Sequence, residues 1–170
     1  MKRAAITGML VVGLASVSGC AWVDAKLGPD RLVKVEEMGR STHCNATAEQ
    51  SVVQVLPSAN EAVIWQRRNN LDLTGPVALP AGKYVIIEMG ARDREGFGFV
   101  VSPQAQIERH SLRLQATYLT PGALPSDAAP PAEAAKPVSP CVLLRVTDTA
   151  WRDVIVFDQN GKRRARSQTY

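Results

Sequence analysis

The side chains in this chain that could carry chemistry are few and poorly grouped. In 170 residues there are two histidines, His43 and His110, and three cysteines, Cys20, Cys44 and Cys141. A hydrolytic triad needs a nucleophile, a histidine base and an orienting acid brought together. His110 has Arg109 and Ser111 beside it, and no Gly-x-Ser-x-Gly elbow occurs. The adjacent His43 and Cys44 suggest metal or thiol chemistry, but a closed zinc site needs four ligands at recognisable spacing, and this inventory is too thin. The carboxylate pairs Glu36-Glu37 and Asp93/Glu95 could serve acid–base work. Neighbours in a strand point to opposite faces, so Glu36 and Glu37 diverge if they lie in one, and Asp93 and Glu95 read as solvated turn residues. "GARDREGFG" holds glycines without the order or the lysine of a phosphate loop. The expectation is a chain with no catalytic residues, no metal and no cofactor.

The third cysteine carries a different chemistry. The run from Met9 to Cys20, "MLVVGLASVSGC", follows Lys2 and Arg3 and is the most apolar in the chain. A membrane-crossing helix needs roughly 20 apolar residues, whereas Ala4 to Ser18 is shorter and is interrupted by Thr7, Gly8, Gly13 and Ser16. Basic start, apolar middle and small residues at the end match a secretory signal. The last four residues, Val17-Ser18-Gly19-Cys20, resemble the lipobox of bacterial lipoproteins. The resemblance implies a signal peptide over 1–19 and lipidation of Cys20 as the new N terminus. It also implies a stable membrane anchor, since each buried methylene contributes about 0.8 kcal/mol. Residue 21 is Ala rather than Asp, which by the same analogy implies the outer membrane, with the body in the periplasm or at the cell surface. Residues 20–31 then read as a tether, with the turn signal Gly28-Pro29-Asp30, and 32–170 as a β-rich globular domain.

Cys44 and Cys141 remain, in a compartment that permits oxidation. Two thiols allow one intramolecular pairing, so a Cys44–Cys141 disulfide is expected. Closing a loop of about a hundred residues stabilises by up to about 4 to 5 kcal/mol on the chain-entropy model. Basic and acidic residues, 20 and 16, nearly balance once Lys2 and Arg3 leave with the signal peptide, which argues against a nucleic-acid partner. The exception is "GKRRAR", with Lys162, Arg163, Arg164 and Arg166. Positive residues of this kind discourage edge-to-edge aggregation of a strand; contact with anionic envelope lipid or an acidic partner is the alternative.

The elements follow from periodicity. Val33 and Val35 alternate with Lys34 and Glu36, Val52 to Leu56 is a β-branched run, and "GKYVIIEMG" is apolar on both faces, as a central strand should be. "SLRLQATY" puts Leu112, Leu114, Ala116 and Tyr118 on one face and Arg113, Gln115 and Thr117 on the other. Before it, a turn at Arg94 to Gly96 leads to Phe97, Phe99 and Val101 on one face. "CVLLRV" and "DVIVFD" complete the strands, the latter running into Gln159-Asn160-Gly161-Lys162, where Asn-Gly favours a tight hairpin. One helix is expected, because Ser58 and Glu61 have capping-box spacing; Ala62 and Trp65 then face the sheet. The fold class is mainly β, an antiparallel sandwich or a curled sheet, with one short helix. Six prolines between 120 and 141 forbid a ladder or helix there. The Pro/Ala-rich loop 120–140 is therefore an excursion between strands, and its composition predicts disorder.

From about Ala81 to Val146 the order of features resembles the C-terminal domain of the PrcB-like protease-complex subunit family of bacterial envelope lipoproteins. The features are the strand Gly82-Lys83-Tyr84-Val85-Ile86-Ile87, the acidic turn Asp93 to Gly96, Phe97 to Val101 and the strand Leu112 to Leu119. Pro121-Gly122 and then Pro140-Cys141-Val142-Leu143-Leu144-Arg145-Val146 follow. The resemblance covers under half the chain. It implies a noncatalytic accessory subunit that associates with and stabilises a protease. Such a module could bind through a sheet edge or through the proline-rich loop; the residues that touch the partner are not identified by the sequence. An inhibitor of an envelope hydrolase, a purely structural envelope lipoprotein and a small-molecule-binding sandwich are the competing expectations.

Overall fold

The computed structural model describes residues 30–122 and 136–167. The signal peptide 1–19, the lipidation site Cys20, nearly all of the tether 20–31 and the middle of the loop 120–140 lie outside the described residues. In chain order the elements are β1 (Arg31–Ser41), β2 (Val52–Leu56), α1 (Ala59–Arg68), β3 (Lys83–Glu88), β4 (Gly98–Val101), β5 (Gln104–Glu108), β6 (Ser111–Leu119), β7 (Cys141–Val146), β8 (Asp153–Phe157) and β9 (Arg163–Arg166).

These strands make one sheet in the order β2-β3-β7-β1-β5-β6-β8-β9, with β4 on β6. All pairings are antiparallel except β6 with β8. The sheet curls because β1 serves two partners: Arg31–Lys34 pair with β5, whereas Val35–Ser41 pair with β7 across a bulge between Glu37 and Gly39. A bulge of this kind bends and twists its strand, and β2 is thereby brought against β8 and β9. The result is a nearly closed curled sheet, the second of the two architectures that the periodicity allowed.

Strand alternation sorts the apolar residues into two clusters. Val33, Val35, Val85, Ile87, Phe99, Leu112, Leu114, Ala116, Leu144 and Val156 fill the inside of the curl. Tyr84, Ile86 and Leu143 point outward from β3 and β7 and are buried beneath Ala62 and Trp65 of α1 and Leu73. The two-faced apolar pattern of β3 thus has its physical cause in a second layer. The helix starts as its cap spacing demands, with the Glu61 amide donating to Ser58 Oγ at 3.2 Å. Buried Gln66 then accepts from the Leu73 amide through its Oε1 at 2.8 Å, holding the chain after the helix against the sheet.

Two turns differ from expectation. The β8–β9 hairpin forms, but it is one residue longer than a two-residue Asn-Gly turn. The Gly161 amide donates to the Asp158 carbonyl at 3.0 Å, the Asp158 amide to the Lys162 carbonyl at 2.9 Å, and Gly161 alone has positive φ, at 75°. The β5–β6 hairpin is the tight one: Arg109 and His110 both sit at positive φ, 49° and 70°, as a two-residue I′ connection requires. Arg109 gives no signal of such a turn, although histidine is enriched at positive φ, and β5 itself has only one large apolar residue to mark it.

Candidate functional site

The site begins at a proline. β4 and β5 run along the same side of β6, separated by Ser102 and Pro103, and the pairing steps by two residues between Val101↔Ala116 and Gln106↔Arg113. Proline has no amide to give a ladder, and its carbonyl is the last main-chain acceptor that β1 uses on this side, taking the Val35 amide at 2.9 Å. Beyond Val35, β1 follows β7 instead. Among the described residues β4 is consequently paired with β6 alone, and its other edge is open. The Phe99 carbonyl points to that edge, where it accepts from Arg40 Nη1 at 3.3 Å. Because the amide and carbonyl of one strand residue point to the same side, the Phe99 amide faces the opening too.

A groove of about 360 Å³ lies along this edge, bounded by Arg40 of β1 and Thr42 just after it, Phe97 just before β4 and Phe99 within it, and Pro140 and Val142 at the start of β7. Its inner wall is apolar: Phe99 is buried and stacks on Tyr118 with ring centroids 5.7 Å apart. Burial pushes the Tyr118 hydroxyl pKa up, against the opposing pull of Ser51, Arg164 and Arg92. Arg40 is the cation at the mouth. Its Nε donates to Glu37 Oε1 at 2.6 Å, and this hydrogen bond raises the guanidinium pKa further against a partial burial that would lower it.

The end of the groove is rigid. Residues 138–140 run between two other segments: the Ser139 carbonyl accepts from the Cys44 amide at 2.9 Å, and Arg92 and Val138 exchange main-chain bonds at 2.8 and 3.0 Å. The Cys44–Cys141 disulfide locks the same place, with a Cα–Cα distance of 5.9 Å. Gly90 is required there, because its φ is +89° and a Cβ would stand 2.5 Å from the Glu49 carbonyl oxygen. Both roots of the proline-rich loop meet one turn: Val138 pairs with Arg92, and Pro121 packs on Gly96 so closely that a Cβ there would be 3.0 Å away.

The residues first weighed for chemistry do not converge on this groove. His43 is exposed and its Nδ1 lies 2.8 Å from Thr42 Oγ1; His110 sits in the β5–β6 turn. Glu36 bonds Lys34 at 2.7 Å and Arg145 at 2.8 Å, and these contacts hold its pKa below the ordinary carboxylate range. Glu37 faces Arg40 instead, and Asp93 and Glu95 are exposed in their turn. Among the described residues no group of three or more His, Cys, Asp or Glu side chains is placed to hold a metal. The groove offers main-chain pairing, apolar contact and one guanidinium. Sequence reasoning missed Arg40 and offered residues 138–140 only as the end of the proline-rich loop; Pro103, which ends the β1 ladder, was the one local signal of an open edge. No family model matches this chain, and comparison with characterised proteins and with solved structures returned no relative.

Proposed function

We propose that this protein is a noncatalytic accessory lipoprotein, anchored through Cys20 to the outer membrane of a bacterial envelope. Its body takes up an extended segment of a protein partner along the open edge of β4. The observation that carries this reading is the unpaired Phe99 edge beside an apolar groove, with a single arginine bridging it. An added strand satisfies edge amides and carbonyls and gains specificity from side-chain pockets. The partner class comes from the features between Ala81 and Val146 that resemble the PrcB-like domain. These lie in β3, β4, β6 and β7, two of which wall the groove, so a protease is the partner to test first.

The experiment places a photo-crosslinking amino acid at exposed Val100 in cells and identifies the adduct. A protease recovered through Val100, whose abundance falls when this gene is deleted, supports the reading. A hydrolase whose activity rises on deletion converts it to inhibition. Recovery of porins or assembly factors alone makes the protein structural, and an unprocessed Cys20 thiol removes the anchor.

A further inference from the structure

Away from the groove, the outer faces of β5, β6, β8 and β9 carry no covering layer among the described residues, and their outward side chains fall into two registered rows. One row runs Leu32, Gln106, Arg113, Ile155, Arg166; the next runs Gln115, Phe157, Arg163. Between them is a depression of about 460 Å³ whose walls include Gln104, Gln106, Arg113, Gln115 and Phe157 and contain no carboxylate. Arg113 lies over the Phe157 ring, 4.7 Å from its centroid, and is paired with Glu108. The basic C-terminal cluster is divided by the fold. Arg164 and Arg166 are bound to Asp158 and Asp153 at 2.8 and 2.7 Å, whereas the side chains of Lys162 and Arg163, at the Gly161 end of the depression, are exposed and make no ion pair among the described residues.

We propose that this face binds a carboxylate-bearing glycan strand. The exposed amides of Gln104 and Gln106, which make no side-chain hydrogen bond among the described residues, can each donate and accept, and so match neighbouring hydroxyls. Arginine forks take carboxylates in two parallel bonds, and the apolar strip of Ile155 and Phe157 meets the C–H faces of sugar rings. A polypeptide is the poorer occupant. β5, β6 and β8, whose residues line the depression, are hydrogen-bonded on both edges, so a peptide backbone finds no ladder within it, and the apolar strip is too narrow for the dry centre of a protein interface. A flat bilayer leaves the depression and its amides unused. The inference is independent of the β4 edge.

The test titrates the full chain with a hexamer of galacturonate, a neutral galactose hexamer, hexaglutamate and phosphatidylglycerol vesicles, following backbone amide shifts by NMR. The galacturonate hexamer is expected to move the amides of Gln106, Arg113, Phe157 and Arg163 and to bind at least about tenfold more tightly than the other soluble probes. Gln104→Ala with Gln106→Ala, and separately Lys162→Glu with Arg163→Glu, are each expected to weaken it about tenfold with the remaining spectrum unchanged. Equal binding of hexaglutamate, response to vesicles alone, full affinity in the double glutamine variant, or no binding would each overturn the proposal.

Discussion

One curled sheet has two kinds of outer surface. On the β2-β3-β7 side, the outward residues Tyr84, Ile86 and Leu143 are completely buried, because α1 and the chain after it lie over them. On the β5-β6-β8-β9 side the outward positions are Gln106, Arg113, Gln115, Ile155 and Phe157, none fully buried, and among the described residues nothing covers them. The interior is shared, so the contrast is written in alternate residues of the same strands. Where the outward set is aliphatic a second layer must exist, since burying each such side chain contributes about 1.5 to 3 kcal/mol. Where amides and guanidinium groups are interspersed with Ile155 and Phe157, an apolar cover would desolvate the polar groups without replacing their hydrogen bonds. The covered side gains burial on both faces of the sheet, and the bare side keeps its polar groups in solvent.

The strongest way to break this contrast is at the covered face's fastener. Removing the disulfide by Cys44→Ala with Cys141→Ala releases a closure spanning 97 residues and should lower unfolding free energy by about 4 to 5 kcal/mol. Urea unfolding of oxidised wild type beside the variant measures it. A loss under about 1 kcal/mol would mean that the hydrogen bonds around Ser139 hold the segment unaided.

The next pair of substitutions compares like with like. Ile86→Ala on the covered face should cost about 2 to 5 kcal/mol, because a fully buried methyl-rich side chain leaves a cavity. Ile155→Ala on the bare face, where the same residue type is half-buried, should cost about 1 kcal/mol or less. Equal losses in denaturant midpoint would show that Ile155 is buried in solution as fully as Ile86.

Much of this architecture was legible because it is local. Val85, Ile87 and Met89 alternate with Tyr84 and Ile86, and both sets proved to be buried, in different clusters. Ser58 caps α1, and the two cysteines left after Cys20 are bonded to each other. What escaped depends on distant partners. β5, "QAQIE", has one large apolar residue and is a strand because β1 and β6 flank it. Arg109 adopts left-handed backbone because the hairpin demands it, not because its type favours it, whereas His110 is of a type enriched at positive φ. Gly39 looks like an ordinary strand glycine, yet a Cβ there would lie 1.7 Å from the Leu73 carbonyl oxygen, a contact only the covering layer creates. The groove was invisible for the same reason: its walls come from residues 40, 99 and 140, which approach only once β1 has changed partners.

Acid titration sharpens the contrast electrostatically. Glu88, on the covered side beside Cys141 in register, has its pKa raised by burial. The folded state therefore binds that proton more tightly than the unfolded chain, and protonation of Glu88 favours folding. Asp158, at the β8–β9 turn, goes the other way. Burial pushes it up, but the amides of Lys162 and Asn160 and the Arg164 guanidinium outweigh burial and leave it lowered. Its stabilisation is complete above the unfolded carboxylate pKa of about 4 and disappears as pH falls through its lower folded value. Glu88→Gln should therefore raise the midpoint at pH 7 and flatten its dependence on the approach to about pH 4. Asp158→Asn should lower the midpoint at pH 7 and blunt the loss below about pH 4. Reversed signs in thermal melts across this range would contradict both assignments.

The smallest expected effect on stability falls where the sheet is neither covered nor bare but open at its edge. Arg40 spans the gap from Glu37 to the Phe99 carbonyl, with roughly half of its side chain exposed, so the pair contributes at most about 1 kcal/mol, and Arg40→Ala should barely shift the unfolding midpoint. Its effect on association should be larger, because a guanidinium lying across a strand edge both occupies a carbonyl and presents charge to an approaching backbone. Without it, the Phe99 amide and carbonyl are free to pair, and the chain should self-associate at lower concentration in sedimentation experiments. The Val100 crosslink to a partner should rise severalfold. Arg40→Lys keeps the charge and loses the fork, and should fall between. Were Arg40→Ala to sediment and crosslink as wild type does, the open edge of β4 would not be where this molecule meets another chain.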